Sequence, residues 1–402
     1  MLVDTYFARQ PILDRRRNVC AYEVLYRGGP NSTGAGFIDG ESATAQVLAS
    51  AFNDLDLPDL LAGRPGFVNL PRETILERAI LAFPPSRVAA EILEDAEVDG
   101  MLIEAIRELR TLGYRVALDD FTLRDGRNGL LPFADIVKVD IQIVTPEELG
   151  RTASVLRSMG ITMLAEKVET AEEFDQCARL GFELFQGYFF ARPELVSGRR
   201  LDEGRGRLVS LLAELHRPEV TIDDVARKVE HHPSLSFQML RLLNSASIGL
   251  HRQVESIREA VILLGTRKVT ELASVLVLAS HDHKPRELLT LGLSRARMCE
   301  LIAERLGRHD PDSFFTVGIF SVLDALADRP IEEVVDALPL SNDVVEALVH
   351  RTGLKGRVLE AAIAYERAEW DSLPSIGIPA AEVSGAYLEA IDWASAMSKA
   401  VA

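Results

Sequence analysis

The 402-residue chain is short of positive charge, of cysteine and of long apolar runs. Its 44 lysines and arginines face 61 aspartates and glutamates, giving a formal net charge of −17. Nucleic-acid binding relies on clustered cations that displace counterions from phosphates, so this balance argues against DNA or RNA as a partner. The one compact basic run, Arg15-Arg16-Arg17, reads as a solvated turn. The three cysteines, Cys20, Cys177 and Cys299, stand far apart, with no second cysteine or histidine at metal-ligand spacing. A disulfide framework is not supported, and a reducing cytoplasmic setting is expected. No run reaches the roughly 18 apolar residues that a membrane helix requires. The longest, Leu272 to Ser280, reads as a buried helix, so no membrane partner is expected. Met1-Leu2-Val3-Asp4 is not a charged segment leading into an apolar core, and no signal peptide is expected. No period repeats along the second half of the chain, which argues against a regular solenoid there.

What the chain does have is a polar residue at the end of one short apolar run after another. Glu23 follows Val19 to Tyr22, Asn69 follows Phe67-Val68, and Glu91 follows Val88 to Ala90. Asp119 follows Val116 to Leu118, Glu166 follows Met163 to Ala165, and Gln186 follows Leu184-Phe185. Asp120 stands beside Asp119, and Lys138 falls between the later members. Successive positions lie roughly 20 to 30 residues apart, the first interval being about twice that, which is the spacing of β-strands separated by helices. A TIM-like (β/α)8 barrel gathers the C-terminal ends of its strands on one face, where active sites lie. These residues would then meet in one carboxylate-rich cup. Buried carboxylates are costly without a compensating cation, so the cup implies a hard divalent metal, Mg²⁺ or Mn²⁺, held by oxygen.

Strand and helix alternate to about residue 195. Thr5–Leu13 and Val19–Arg27, joined by a short turn, predict a hairpin and hence one antiparallel edge. Residues 30–41 read as a Gly-, Ser- and Asn-rich loop and 42–57 as a helix. Further helices are expected from Pro71 and over 99–112, 145–159 and 170–180, the last two capped by Thr145 and Thr170. Beyond the polar, glycine-rich stretch 198–206 the periodicity becomes helical throughout, with helices expected at 255–264, 266–280, 286–307 and 312–327 among others. The expected domains are a barrel over 1–197 and an all-α domain over 198–402. His281-Asp282 and His231-His232-Pro233 read as polar turns at helix ends.

The first half resembles the EAL domain, which hydrolyses cyclic di-GMP. The matching segments are Arg9-Gln10-Pro11-Ile12, Glu23-Val24-Leu25-Tyr26-Arg27, Val68-Asn69, Glu91-Ile92-Leu93-Glu94, Leu118-Asp119-Asp120-Phe121, Lys138-Val139-Asp140, Ala165 to Thr170 and Gln186-Gly187-Tyr188. The second half is similar to the HDOD domain, through Leu240 to Ser247, Ser256 to Val261 and Leu264-Gly265. The order of the two also resembles the EAL–HDOD signalling proteins.

The resemblance implies Glu23, Asn69, Glu91, Asp119 and Asp120 as ligands of two divalent metals, with Glu166 associated with them. It implies Lys138 as a catalytic lysine and Gln186 as a neighbour of the attacking water. It gives Gln10, Arg27 and Asp140 as contacts to cyclic di-GMP and Glu94 as the anchor of the loop after Asp120. The product would be linear pGpG. A homodimer is an expectation of the resemblance alone. The chain departs from the pattern at Thr122 to Leu130, where the family carries a Gly-Thr-Gly-aromatic-Ser-Ser loop, and at Lys167, which replaces a glycine. These departures weigh on turnover more than on binding, and leave open an inactive scaffold acting through protein contacts. The HDOD domain is a helical relative of the HD phosphohydrolases, and the His-Asp pair of those enzymes is absent here, the equivalent stretch reading Gly318-Ile319-Phe320-Ser321-Val322-Leu323-Asp324. The implied role is regulatory, towards a protein partner the sequence does not identify.

Overall fold

The structure, a computed structural model, describes residues 5–28, 60–124, 126–192, 210–217, 219–244, 254–279, 284–336 and 338–401. The expected loop at 30–41, the expected helix at 42–57, the stretch 198–206 with the 197/198 boundary, and His281-Asp282 lie outside the described residues. The chain divides into two compact units, Met1–Phe190 with Glu366–Ala368, and Ala191–Tyr365 with Glu369–Ala402.

In the first unit eight strands close into a barrel in sequence order: β1 (Thr5–Asp14), β2 (Val19–Gly28), β3 (Gly66–Leu70), β4 (Val88–Ile92), β5 (Arg115–Leu118), β6 (Ile136–Asp140), β7 (Thr162–Glu166) and β8 (Leu184–Gln186). β1 runs antiparallel to both β2 and β8, and every other pairing is parallel. The expected hairpin is present, but it makes no edge, because closure pairs β1 on both sides. Its turn is tied by Asp14 Oδ1, which accepts the backbone N–H groups of Arg16 and Asn18 at 2.8 and 2.9 Å. Helices Pro146–Ser158 and Ala171–Leu180 open on reciprocal capping boxes, Thr145 with Glu148 and Thr170 with Glu173. Each satisfies backbone donors that would otherwise be orphaned, worth about 1 kcal/mol per cap.

The barrel is plugged by one apolar layer: Ile12, Ala21, Phe67, Ala89, Ala117, Ile136 and Leu164. Side chains two residues apart on a strand share a face. One step further along each strand therefore stand Glu23, Asn69, Glu91, Asp119, Lys138 and Glu166. On the antiparallel β1 the same step runs backwards, from Ile12 to Gln10. Leu184 packs against the plug, and its step leads to Gln186. The polar layer is thus the plug's period-2 continuation, and the strand register brings Gln10 beside Glu23, Asn69 beside Glu91, and Asp140 beside Glu166.

The second unit is helical over its described residues. Ile222–Glu230 opens on a Thr221–Asp224 capping box. The two helices expected on either side of Gly265 are one assigned span, Ile257–Ala279, broken at that glycine by φ 84° and ψ 161°. The single helix expected over 312–327 is two, Pro311–Phe320 and Leu323–Ala327. Gly318 explains how tightly the first of these packs on Arg286–Arg305. A Cβ there would lie 2.5 Å from Ala296 Cα and from the Arg295 carbonyl. Half-buried His216 bridges three segments, its Nδ1 2.8 Å from Thr316 Oγ1 and its Nε2 2.8 Å from Ser274 Oγ. Among the described residues no helix is long and apolar enough to cross a membrane.

Candidate functional site

The polar layer closes on Lys138, whose side chain is 1% exposed. Its Nζ contacts Glu91 Oε1, and lies 2.8 Å from Asp119 Oδ1, 2.9 Å from Glu166 Oε1 and 3.4 Å from Glu23 Oε2. Gln186 Nε2 donates to Glu23 Oε2 and, at 2.9 Å, to Gln10 Oε1. Asn69 Nδ2 donates to Glu23 Oε1 at 3.3 Å. Eight residues widely separated in sequence therefore form one hydrogen-bonded cluster inside the barrel mouth.

One ammonium faces four carboxylates, and the imbalance governs the protons. Burial pushes Glu91 well above the usual carboxylate range, against the pull of Lys138, with Glu23, Asp119 and Glu166 adding to the rise. Burial likewise pushes Glu166 up to about 8. Asp119 moves the other way: burial alone would raise it, but Lys138 holds it below its ordinary value. Burial would lower Lys138, yet Glu166, Glu23, Glu91 and Asp119 together keep it well above the usual lysine range.

Four buried oxygens of this cluster have no hydrogen-bond partner among the described residues: Asn69 Oδ1, Glu91 Oε2, Glu166 Oε2 and Gln186 Oε1. All are acceptors. An unmatched buried acceptor costs about 1–3 kcal/mol, and four in one place call for positive charge. Hard divalent cations take oxygen ligands of this kind, so the donor set fits a divalent metal. A second acidic group lies further out, where Glu94, Asp119 and Asp120 bring one carboxylate oxygen each within 4.8 Å of one another. Burial, and then Asp119, raise the Asp120 carboxyl.

The remaining expected residues are placed differently. Glu94, expected to anchor the loop after Asp120, makes no hydrogen bond or ion pair among the described residues and turns its carboxylate towards Asp119 and Asp120. The loop is tied instead by buried Arg127, whose Nη2 donates to the Asp120 carbonyl at 3.1 Å. Asp140 is buried with both oxygens held, Oδ1 by the Gln142 N–H at 2.8 Å and Oδ2 by Lys167 Nζ. Arg27 pairs with Tyr6 through the backbone of β2, and its side chain lies outside the described residues. Arg127 and the Lys167–Asp140 pair were not anticipated as partners. The only sequence signal was the departure of both segments from the family's glycines.

The EAL domain family matches residues 6–193, and the HDOD domain family matches residues 206–327. The chain is 34% identical to the uncharacterised protein YuxH of Bacillus subtilis (strain 168), over 96% of this chain and 97% of that protein. It is also 34% identical to the cyclic di-GMP phosphodiesterase CdgJ of Vibrio cholerae, over 99% of this chain and 94% of that protein. A solved manganese and cyclic di-GMP complex of Klebsiella pneumoniae BlrP1 matches at 25% identity and a TM-score of 0.38, over 46% of this chain and 55% of that one.

Proposed function

Since this chain belongs to the family of proteins that join an EAL domain to an HDOD domain, we propose that its barrel binds cyclic di-GMP with divalent metal and hydrolyses it to linear pGpG. The observation that carries this reading is the set of four partnerless buried oxygens above the apolar plug. Glu23, Asn69, Glu91, Asp119 and Asp120 would hold two Mg²⁺ or Mn²⁺ ions, with Glu166 beside them. Ions bound there would supply Lewis-acid charge and make water a nucleophile near neutral pH.

The chain's own groups then have distinct tasks. Lys138, fixed by its four carboxylates, carries positive charge to where negative charge develops on the phosphoryl oxygens. Gln186, clamped by Gln10 and Glu23, keeps its Oε1 available to accept a hydrogen bond from the attacking water. Glu166, 2.9 Å from Lys138 and with its second oxygen free, would help hold the ions and the water they polarise. The water oxygen bonds to phosphorus as the bond from phosphorus to a ribose oxygen breaks, and the proton that the water releases is matched by the one that the departing ribose oxygen takes up from solvent.

The helical unit acts in this reading as a regulatory module for a protein partner. A histidine in place of Gly318 would drive its side chain into the Arg295–Ala296 backbone, so the site of the missing His-Asp pair has no room for a metal ligand. The loop after Asp120 favours one alternative. Arg127 ties it to the Asp120 carbonyl, and the family's loop sequence is absent. A barrel with this loop can bind nucleotide without cleaving it and act as a scaffold. Titration of the full chain with cyclic di-GMP, with Mn²⁺ and again with EDTA, joined to chromatography of the products, separates these outcomes. We expect Mn²⁺-dependent binding, pGpG formation, and loss of both in Glu23→Ala. Binding without product leaves the scaffold. No binding at micromolar nucleotide overturns the reading.

A further inference from the structure

Two lysines reach the cup, and they are held in opposite ways. Lys138 is sealed inside the barrel, whereas Lys167 keeps 59% of its side chain exposed. Lys167 directly follows Glu166 at the end of β7, with a left-handed backbone at φ 55°. That conformation costs an L-residue about 1–2 kcal/mol and glycine almost nothing. The chain therefore carries strain at this position in order to have a side chain there. Strain of this kind collects where a side chain must be aimed.

Both ends of Lys167 are held by the end of β6 and the turn that follows it. Its Nζ pairs with Asp140 Oδ2, and its carbonyl accepts a hydrogen bond from Gln142 Nε2 at 3.1 Å. The same Gln142 amide also donates to Glu173 Oε1 at 3.1 Å, which ties the arrangement to the cap of helix Ala171–Leu180. The ammonium is held on Asp140, the residue that the strand register sets beside Glu166, and so lies at the edge of the acidic cup. A phosphate approaching this mouth meets the carboxylates of Glu94, Asp119 and Asp120. Lys167 offers it an exposed cation. Asp140, buried with both oxygens taken, is better placed to aim that cation than to touch a nucleotide.

We propose that Lys167 is a substrate-contact residue, pairing with a phosphate of the bound cyclic dinucleotide, and that Asp140 is its positioning residue. This rests on the cyclic di-GMP reading of the same site. The exposed ammonium can stay on Asp140 Oδ2 while its remaining N–H groups reach a phosphate, and Asp140 Oδ1 keeps the Gln142 N–H throughout.

The test is the Kd for cyclic di-GMP in the presence of Mn²⁺, measured over a range of salt for the full-length wild type and for Lys167→Met, Lys167→Gly and Lys167→Arg. Lys167→Met and Lys167→Gly should each weaken binding about tenfold and flatten its salt dependence. Lys167→Arg should stay close to wild type. Lys167→Gly relieves the left-handed strain, so a melting temperature at or above the other variants separates lost charge from lost fold. Asp140→Asn should move Kd in the same direction by less. Unchanged affinity and salt slope in both Lys167→Met and Lys167→Gly overturn the proposal while leaving the site's function intact. A defect in Lys167→Met that Lys167→Gly lacks also overturns it, since the backbone would then be responsible. A wild type that binds no cyclic di-GMP fails at the earlier step and overturns the function itself.

Discussion

Each half of the molecule buries a glutamate completely, and the two are treated in opposite ways. In the helical unit Glu300 has both oxygens matched, Oε1 by Arg267 Nη2 and Oε2 by Arg297 Nη1. In the barrel Glu91 has one oxygen on a lysine that it shares with three other carboxylates, and its second oxygen has no partner. Both carboxyls are raised by burial. The difference lies in satisfaction. A buried carboxylate with two cationic forks is a finished structural joint, whereas one with an orphaned oxygen beside three like neighbours is short of positive charge.

The comparison can be broken first at the structural joint. Glu300→Ala removes the carboxylate that Arg267 and Arg297 share, but Arg267 keeps Glu271, Glu304 and Asp312, so the loss should be about 2–3 kcal/mol. Trp370 and Trp393 are the only tryptophans, and both lie in the second unit. Urea unfolding followed by tryptophan fluorescence therefore reads this change in the helical unit. A loss below about 1 kcal/mol would class the network with ordinary surface pairs.

Glu91→Gln tests the other member. It keeps the shape and removes a charge, so Mn²⁺ affinity measured by calorimetry should fall about a hundredfold, while the fold is retained or gains stability. Unchanged Mn²⁺ affinity would mean that the orphaned oxygens do not serve metal.

A smaller effect sharpens the contrast from the side of pH. Burial lowers His216 in the helical unit to about 4, below its ordinary 6.5. Between these values the unfolded chain takes up a proton that the folded unit refuses. His216 therefore contributes stability that is fully present above about pH 6.5 and is lost as pH falls towards 4, by about 1.4 kcal/mol per pH unit. The wild type should lose stability across this window relative to His216→Gln, again by tryptophan fluorescence. Parallel pH profiles would show that His216 is not held neutral.

Much of the site was readable because period-2 geometry is local. Glu23, Asn69, Glu91, Asp119, Glu166 and Gln186 each end an apolar run, and in the barrel each stands one step above the plug. Thr145 and Thr170 announced their helices through nearby glutamates, and Gly265 marked its break in the right place. Other features depended on what lies opposite. Gly318 reads as an unremarkable residue in an apolar run until the Arg295–Ala296 backbone is seen against it. Asp140 reads as a ligand contact until Lys167 is found on its second oxygen. Glu94 reads as a loop anchor, yet Arg127 ties the loop.

The sequence by itself determined which residues could meet: alternation along each strand decides the face, and the spacing of strands and helices decides the barrel. Only the tertiary structure decided the pairing of charges. Whether an acid is matched, shared or left short depends on side chains from distant segments competing for one lysine, and that competition is settled in three dimensions by distance and burial.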